Sequence, residues 1–132
     1  MSKRSILVVD DDRSVRSYLS DLLTSCGYSI ECAESGDQAV ARLSAGYIPS
    51  LIVLDIVMPG INGIEVLESV KKINPSIPVI ILSASAQPKT VVEAMKMGVA
   101  DFLVKPFEEQ ELELAIQNVL EKHRSRRDDF PP

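Results

Sequence analysis

Five apolar runs alternate along the chain with stretches in which apolar residues recur every third or fourth position. The apolar runs are expected as strands near 5–10, 29–33, 50–55, 78–83 and 100–104. The run from Leu51 to Leu54 carries no charge until Asp55, which suits a strand covered on both faces of a parallel sheet. Between the strands, Val15, Leu19, Leu22, Leu23 and Cys26 mark a first helix that stops at Gly27. Ser35 and Gln38 have capping-box spacing and open a second, carrying Ala39, Val40 and Leu43 inward. Asn62 and Glu65 offer the same arrangement for a third, with Val66, Leu67 and Val70 facing the core. A fourth helix is expected between Pro88 and Gly98. A fifth runs from Glu108 to about Lys122, buried along Leu112, Ala115, Ile116, Val119 and Leu120, with Leu114 off that stripe. Strict alternation of strand and helix predicts a parallel α/β fold. Periodicity fades from His123 onward, so residues 1–122 are expected as one domain and 123–132 as a tail or linker stub.

The chain has 132 residues, enough for one domain that buries about two thirds of its unfolded surface. Hydrophobic residues make up 45% and aromatics only 5%, which predicts an aliphatic core of Val, Ile and Leu. A net charge of −5 argues against direct nucleic-acid binding by this domain. Lys3 and Arg4 precede only a short apolar run, unlike a secretory signal. No apolar run approaches the roughly 20 residues of a membrane span. A soluble cytoplasmic protein is the expectation. Cys26 and Cys32 are expected as reduced core residues, although their spacing alone leaves a disulfide open.

Candidate chemistry gathers at the strand ends. The first strand runs into Asp10, Asp11 and Asp12, and the third ends at Asp55. In an open α/β sheet the carboxyl ends of the strands form the ligand edge. With strands one and three adjacent, Asp10, Asp11 and Asp55 converge to roughly 5 Å, where each like-charge pair costs about 3 kcal/mol. Such a cluster calls for a divalent cation, and all-oxygen ligation with few protein ligands suits Mg²⁺. The fourth strand ends in Ser83 and Ala84, and the fifth in Lys105 and Pro106. Singly, Ser83 reads as a strand-end cap, Lys105 as a surface charge, and Asp11 or Asp12 as a helix cap. Together, three carboxylates, a hydroxyl and an ammonium describe a phosphoryl-transfer site with a carboxylate nucleophile.

The chain resembles the receiver domain of bacterial two-component response regulators over about residues 4 to 122. The resemblance rests on Val8-Val9-Asp10-Asp11, Leu54-Asp55-Ile56-Val57-Met58-Pro59-Gly60, Ser83-Ala84 and Lys105-Pro106-Phe107. It implies a flavodoxin-like (βα)5 fold, doubly wound, with parallel strand order 2-1-3-4-5. It implies that Asp55 takes a phosphoryl group from a sensor histidine kinase or phosphotransfer protein, as a signalling phosphoacceptor rather than a turnover enzyme. Asp10, Asp11, Asp55 and the backbone carbonyl of Val57 would hold Mg²⁺, with Asp12 a helix start. Ser83 would bond the phosphoryl group beside the small Ala84. Lys105, set by a cis Lys105–Pro106 bond, would pair with Asp55 before phosphorylation and with the phosphate afterwards. Phe102 falls at the family's switching aromatic, and is also readable as a plain core residue. The readout would be the face of helix four, strand five and helix five, through homodimer pairing or contact with a C-terminal output domain. Met95, Met97 and Leu114, in or beside those elements, are expected more as core than as interface.

Three departures from the family's usual pattern stand out. Asn62 replaces a frequent Asp, which changes little because both cap helices. Val57 and Ser85 sit where family side chains tune hydrolytic water; an apolar Val57 implies slow to moderate self-dephosphorylation. Phe102 lacks the hydroxyl of a frequent Tyr. Three rival functions share parts of this pattern. A haloacid-dehalogenase-type phosphatase shares the D-x-D pattern but leaves Asp55 without a role. A degenerate receiver that only binds protein sits poorly with an intact residue set. A flavodoxin-like carrier lacks a hydroxyl-rich phosphate loop after the first strand. Small-molecule turnover would single out the phosphatase, and failure to accept phosphate the degenerate receiver.

Overall fold

The structure, a computed structural model, describes residues 4–58, 61–84 and 87–128, with the side chains of 57–58, 61–62 and 123–128 left out. The first three strands of the main sheet are β1 (Ser5–Val9), β2 (Ser29–Ala33) and β3 (Leu51–Asp55). A short antiparallel hairpin, β4 (Val57–Met58) with β5 (Ile61–Asn62), follows β3. The main sheet is completed by β6 (Val79–Ser83) and β7 (Asp101–Val104). All its pairings are parallel and the spatial order is β2-β1-β3-β6-β7, which is 2-1-3-4-5 counted along the main sheet. The helices are α1 (Arg13–Ser25), α2 (Gly36–Ser44), α3 (Gly63–Ile73), α4 (Pro88–Lys96) and α5 (Glu109–Asp128). The expected strands are found within one residue at each end.

Alternate residues of β1 serve different cores, because side chains on a strand point to opposite faces. Leu7 and Val9 join Ile52, Leu54 and Ile81 beneath α2, α3 and α4, where Leu43, Leu67, Val70 and Ala94 pack. Ile6 and Val8 join Val53, Ile80 and Leu82 on the other face against α1 and α5, through Leu19, Leu23, Leu112 and Ile116. Two-sided coverage explains why β3 and β6 are buried at every position. The sheet is thus wound in both directions from β1, which makes the gap between β1 and β3 the topological switch point.

Local signals explain where the helices begin and end. Asp12 caps α1: its Oδ1 accepts from the amides of Ser14 at 2.8 Å and Val15 at 3.4 Å. Gly27 ends it with φ +97°, a left-handed conformation that disfavours side chains. Ser35 caps α2 as expected, accepting from the Gln38 amide at 3.1 Å. The Gln38 side chain reaches the amide of Glu34 at 2.8 Å, one residue before the cap. Pro88 occupies the first turn of α4, where its missing N–H is harmless.

Three expectations are corrected. Helix α5 does not stop near Lys122 but continues to Asp128. Between Lys122 and Pro131 the sequence has no Gly or Pro, so loss of an apolar stripe ended the periodicity without ending the helix. Cys26 is exposed rather than core, because it is the cap residue after the last turn of α1; Cys32 is half-buried, and both thiols are free. Met95 is 55% exposed rather than core, whereas Met97 packs half-buried against the core; Leu114 is 57% exposed, following its position off the stripe and not the core expectation.

Candidate functional site

Four strand ends build one acidic edge. Val9 lies opposite Leu54, so Asp10 leaves β1 beside Asp55, the last residue of β3. Ser83 closes β6 opposite Val104, and the Lys105 amide extends that ladder by donating to the Ser83 carbonyl at 2.8 Å. Asp10 is 2% exposed, Asp55 7% and Ser83 0%, and they are the buried polar residues among the described positions. Asp11 is exposed. One carboxylate oxygen from each of Asp10, Asp11 and Asp55 lies within 4.8 Å of the others. Asp12 stays outside this group as the cap of α1.

Lys105 faces the cluster from across the sheet. Lys105 Nζ lies 3.3 Å from Asp55 Oδ2 and 3.4 Å from Asp10 Oδ2. The Lys105–Pro106 bond is cis. Burial raises the Asp10 pKa; the Asp12 amide, 2.9 Å from Oδ1, and the Lys105 charge pull it back, while Asp55 adds to the rise. Burial alone would depress the Lys105 pKa, but Asp55 and then Asp10 outweigh it, and the net shift is upward. Among the described residues, the three carboxylates outnumber the ammonium, which meets the two buried ones. Hard oxygen ligands at this separation fit a small divalent cation such as Mg²⁺.

Phe102 is half-buried and packs against the core under α3 and α4. Val57 lies in the short hairpin two residues after Asp55. Its side chain and that of Asn62, together with Pro59, Gly60 and Ser85, lie outside the described residues. Two residues at the site escaped sequence reasoning. Arg16 donates from Nη1 to the Asp10 carbonyl at 2.8 Å. Gly63 abuts Ile56 so closely that a Cβ there would fall 2.2 Å from the Ile56 Cα. Arg16 carries no local signal, since its reach to the end of β1 depends on how α1 packs. Gly63 read only as part of a helix start.

The distinction between cap and ligand is measurable. Asp12→Ala is expected to lower stability by about 1 kcal/mol through loss of the α1 cap. Its Mg²⁺ affinity, followed as the melting temperature against Mg²⁺ concentration, should match that of the wild type. A large loss of affinity would place Asp12 among the ligands.

Comparison with known proteins agrees with this architecture. The family model for the response regulator receiver domain matches residues 6–117. The chemotaxis protein CheY of Thermotoga maritima is 38% identical over 120 residues, covering 90% of this chain and 98% of that protein. A probable transcriptional regulator, ycf27, of Porphyra purpurea is 38% identical over 120 residues, covering 91% of this chain. The chain spans only 49% of the length of that relative. Among solved structures, a CheY-like receiver domain protein from Methanospirillum hungatei superposes with a TM-score of 0.91 at 26% identity, covering 95% of this chain and 99% of that one. A doubly wound sheet in the order 2-1-3-4-5 that carries two acidic strand ends, a buried serine and a cross-sheet lysine, matched by that family model over most of its length, belongs to the response regulator receiver domains of two-component signalling.

Proposed function

We propose that this domain accepts a phosphoryl group on Asp55 from the phosphohistidine of a sensor kinase or phosphotransfer protein. The observation that carries the proposal is the convergence of Asp10, Asp11 and Asp55 within 4.8 Å, with Lys105 Nζ 3.3 Å from the Asp55 carboxylate. An Asp55 carboxylate oxygen attacks phosphorus while the P–N bond breaks, its electron pair passing to the ring nitrogen, and the ring, already protonated on its other nitrogen, leaves as neutral imidazole. Asp10, Asp11, Asp55 and the backbone carbonyl of Val57 are the residues to hold Mg²⁺, which when bound neutralises charge on the phosphoryl oxygens. Lys105 supplies a further positive charge, and the Ser83 hydroxyl bonds a phosphoryl oxygen.

Phosphorylation adds roughly −1.5 to −2 charge to this edge. Lys105 is drawn to the new charge and Ser83 to the new acceptors. Because Ser83 ends β6 and Lys105 follows β7, any shift of these strand ends reaches the face of α4, β7 and α5. Phe102 is the aromatic that turns with them. Val92, Met95, Val104 and Leu114, exposed by 43% to 57% on these elements and at their margin, support that face as the readout. Its occupant is a second copy of the domain or an output module, as the greater length of the ycf27 relative suggests. No helix among the described residues is long and apolar enough to cross a membrane.

The test is intact mass after incubation with acetyl phosphate and Mg²⁺, beside Asp55→Asn. One added phosphoryl group is expected in the wild type, absent without Mg²⁺ and absent in the variant. No adduct would leave a protein-binding module, and an adduct surviving in Asp55→Asn would move the nucleophile elsewhere.

A further inference from the structure

The Asp10 peptide is pinned from both sides at the point where β1 runs out of ladder. Its amide donates to the Ala33 carbonyl of β2 at 3.2 Å. Its carbonyl lies past the last β1 pairs, Val9 with Ala33 and Val9 with Leu54. A carbonyl in a residue only 2% exposed needs a partner, and the Arg16 guanidinium provides it at 2.8 Å. That carbonyl belongs to the peptide joining Asp10 to Asp11, the two successive carboxylates of the cluster.

We infer that Arg16 is a positioning residue: by holding the Asp10–Asp11 peptide plane, it presets the directions in which both carboxylates leave the chain and so the convergence of the divalent-cation site. The inference rests on the reading of Asp10 and Asp11 as cation ligands. Arg16 acts through geometry more than charge. Its guanidinium is aimed at a backbone oxygen, and the groups that set the Asp10 carboxylate pKa are burial, the Asp12 amide, Lys105 and Asp55. Its helix holds it in place: Arg16 lies in the second turn of α1, with its own amide bonded to the Asp12 carbonyl at 3.0 Å. The α1 backbone therefore anchors one end of the brace, through the Asp12 carbonyl that Asp12→Ala leaves in place, and the Asp10 carbonyl anchors the other. Without the guanidinium the peptide plane is free to rotate, and the carboxylates must be ordered by the cation itself.

The experiment is a calorimetric titration of the whole chain with Mg²⁺ alone, comparing wild type with Arg16→Met, Arg16→Lys and Asp12→Ala. Methionine keeps most of the apolar stem but has no donor, and lysine restores one. Arg16→Met is expected to weaken Mg²⁺ binding about tenfold, the usual scale for losing a partner behind a metal ligand. Arg16→Lys should recover most of that loss. Asp12→Ala also destabilises α1, yet keeps wild-type affinity, so a general loosening of the helix cannot produce the same pattern. Wild-type affinity in Arg16→Met, or equal losses in Arg16→Met and Asp12→Ala, would overturn the inference. Absence of Mg²⁺ binding by the wild type would instead overturn the reading of the carboxylates on which it depends.

Discussion

Replacing Gly63 with alanine is expected to destabilise the protein by about 2–3 kcal/mol and to slow phosphoryl uptake at least tenfold. On helix propensity alone the substitution should help, since alanine is favoured over glycine inside a helix by about 1 kcal/mol. Packing reverses the sign. The new Cβ would stand 2.2 Å from the Ile56 Cα and 2.5 Å from both its Cβ and its carbonyl oxygen. Two of those three atoms are backbone, so no rotamer change relieves the overlap. Either α3 retreats from the sheet, uncovering Val66, Leu67 and Val70, or the segment after β3 moves. Asp55 is the residue before Ile56, so the second route displaces the proposed nucleophile directly. Urea denaturation checks the first quantity, and the rate of phosphate incorporation from acetyl phosphate the second. Unchanged stability would mean that the start of α3 slides without loss of packing.

The second large effect is a pair of opposite signs. In Mg²⁺-free buffer, Lys105→Met should lose about 2–3 kcal/mol of stability, whereas Asp10→Asn should gain on the order of 1 kcal/mol. Lys105 is the cation that bridges Asp10 and Asp55, whose side chains are 2% and 9% exposed. Removing it leaves buried like charges facing one another. Asp10 works the other way. Its pKa is raised, so folding favours its protonated form, and the ionised side chain costs stability at neutral pH that is recovered as pH falls through the raised value. An uncharged isostere removes that cost at all pH. Adding Mg²⁺ should then separate the two variants. At ten times its dissociation constant, a cation that binds only the folded state adds about 1.4 kcal/mol. The wild type and Lys105→Met should gain from Mg²⁺, while Asp10→Asn, short of a carboxylate, should gain little. Chemical denaturation with and without Mg²⁺ reads all these differences. If Asp10→Asn proves destabilising in Mg²⁺-free buffer, the bonds to the Asp12 amide and Lys105 outweigh the crowding of charge.

Much of this was legible because it is local. The spacing of Leu19, Leu23, Leu112 and Ile116 marks helix faces, and the uncharged runs before Asp55 and Ser83 mark strands covered on both sides. The cap at Asp12 is a short-range event between a side chain and amides two and three residues away. The misplaced features fall where local pattern stops carrying information. Periodicity reports burial, so it went silent at Lys122 while the helix continued to Asp128. It also assigned Cys26 and Met95 to the core by type, although a cap position and an unpartnered helix face left both exposed.

The sequence by itself determined which chemical groups arrive at the ends of the strands, because strand length and apolar alternation are set by neighbouring residues. It also determined the family, through motifs that are contiguous. Only the tertiary structure decided that these groups meet. Lys105 reaches Asp55 across 50 residues and Asp10 across 95, and those distances depend on the register of β1, β3, β6 and β7. That register is fixed by two cores packing from opposite faces of the sheet. The same packing brings Arg16 to the Asp10 carbonyl and closes the space beside Gly63, since both depend on where a helix lies against a strand end.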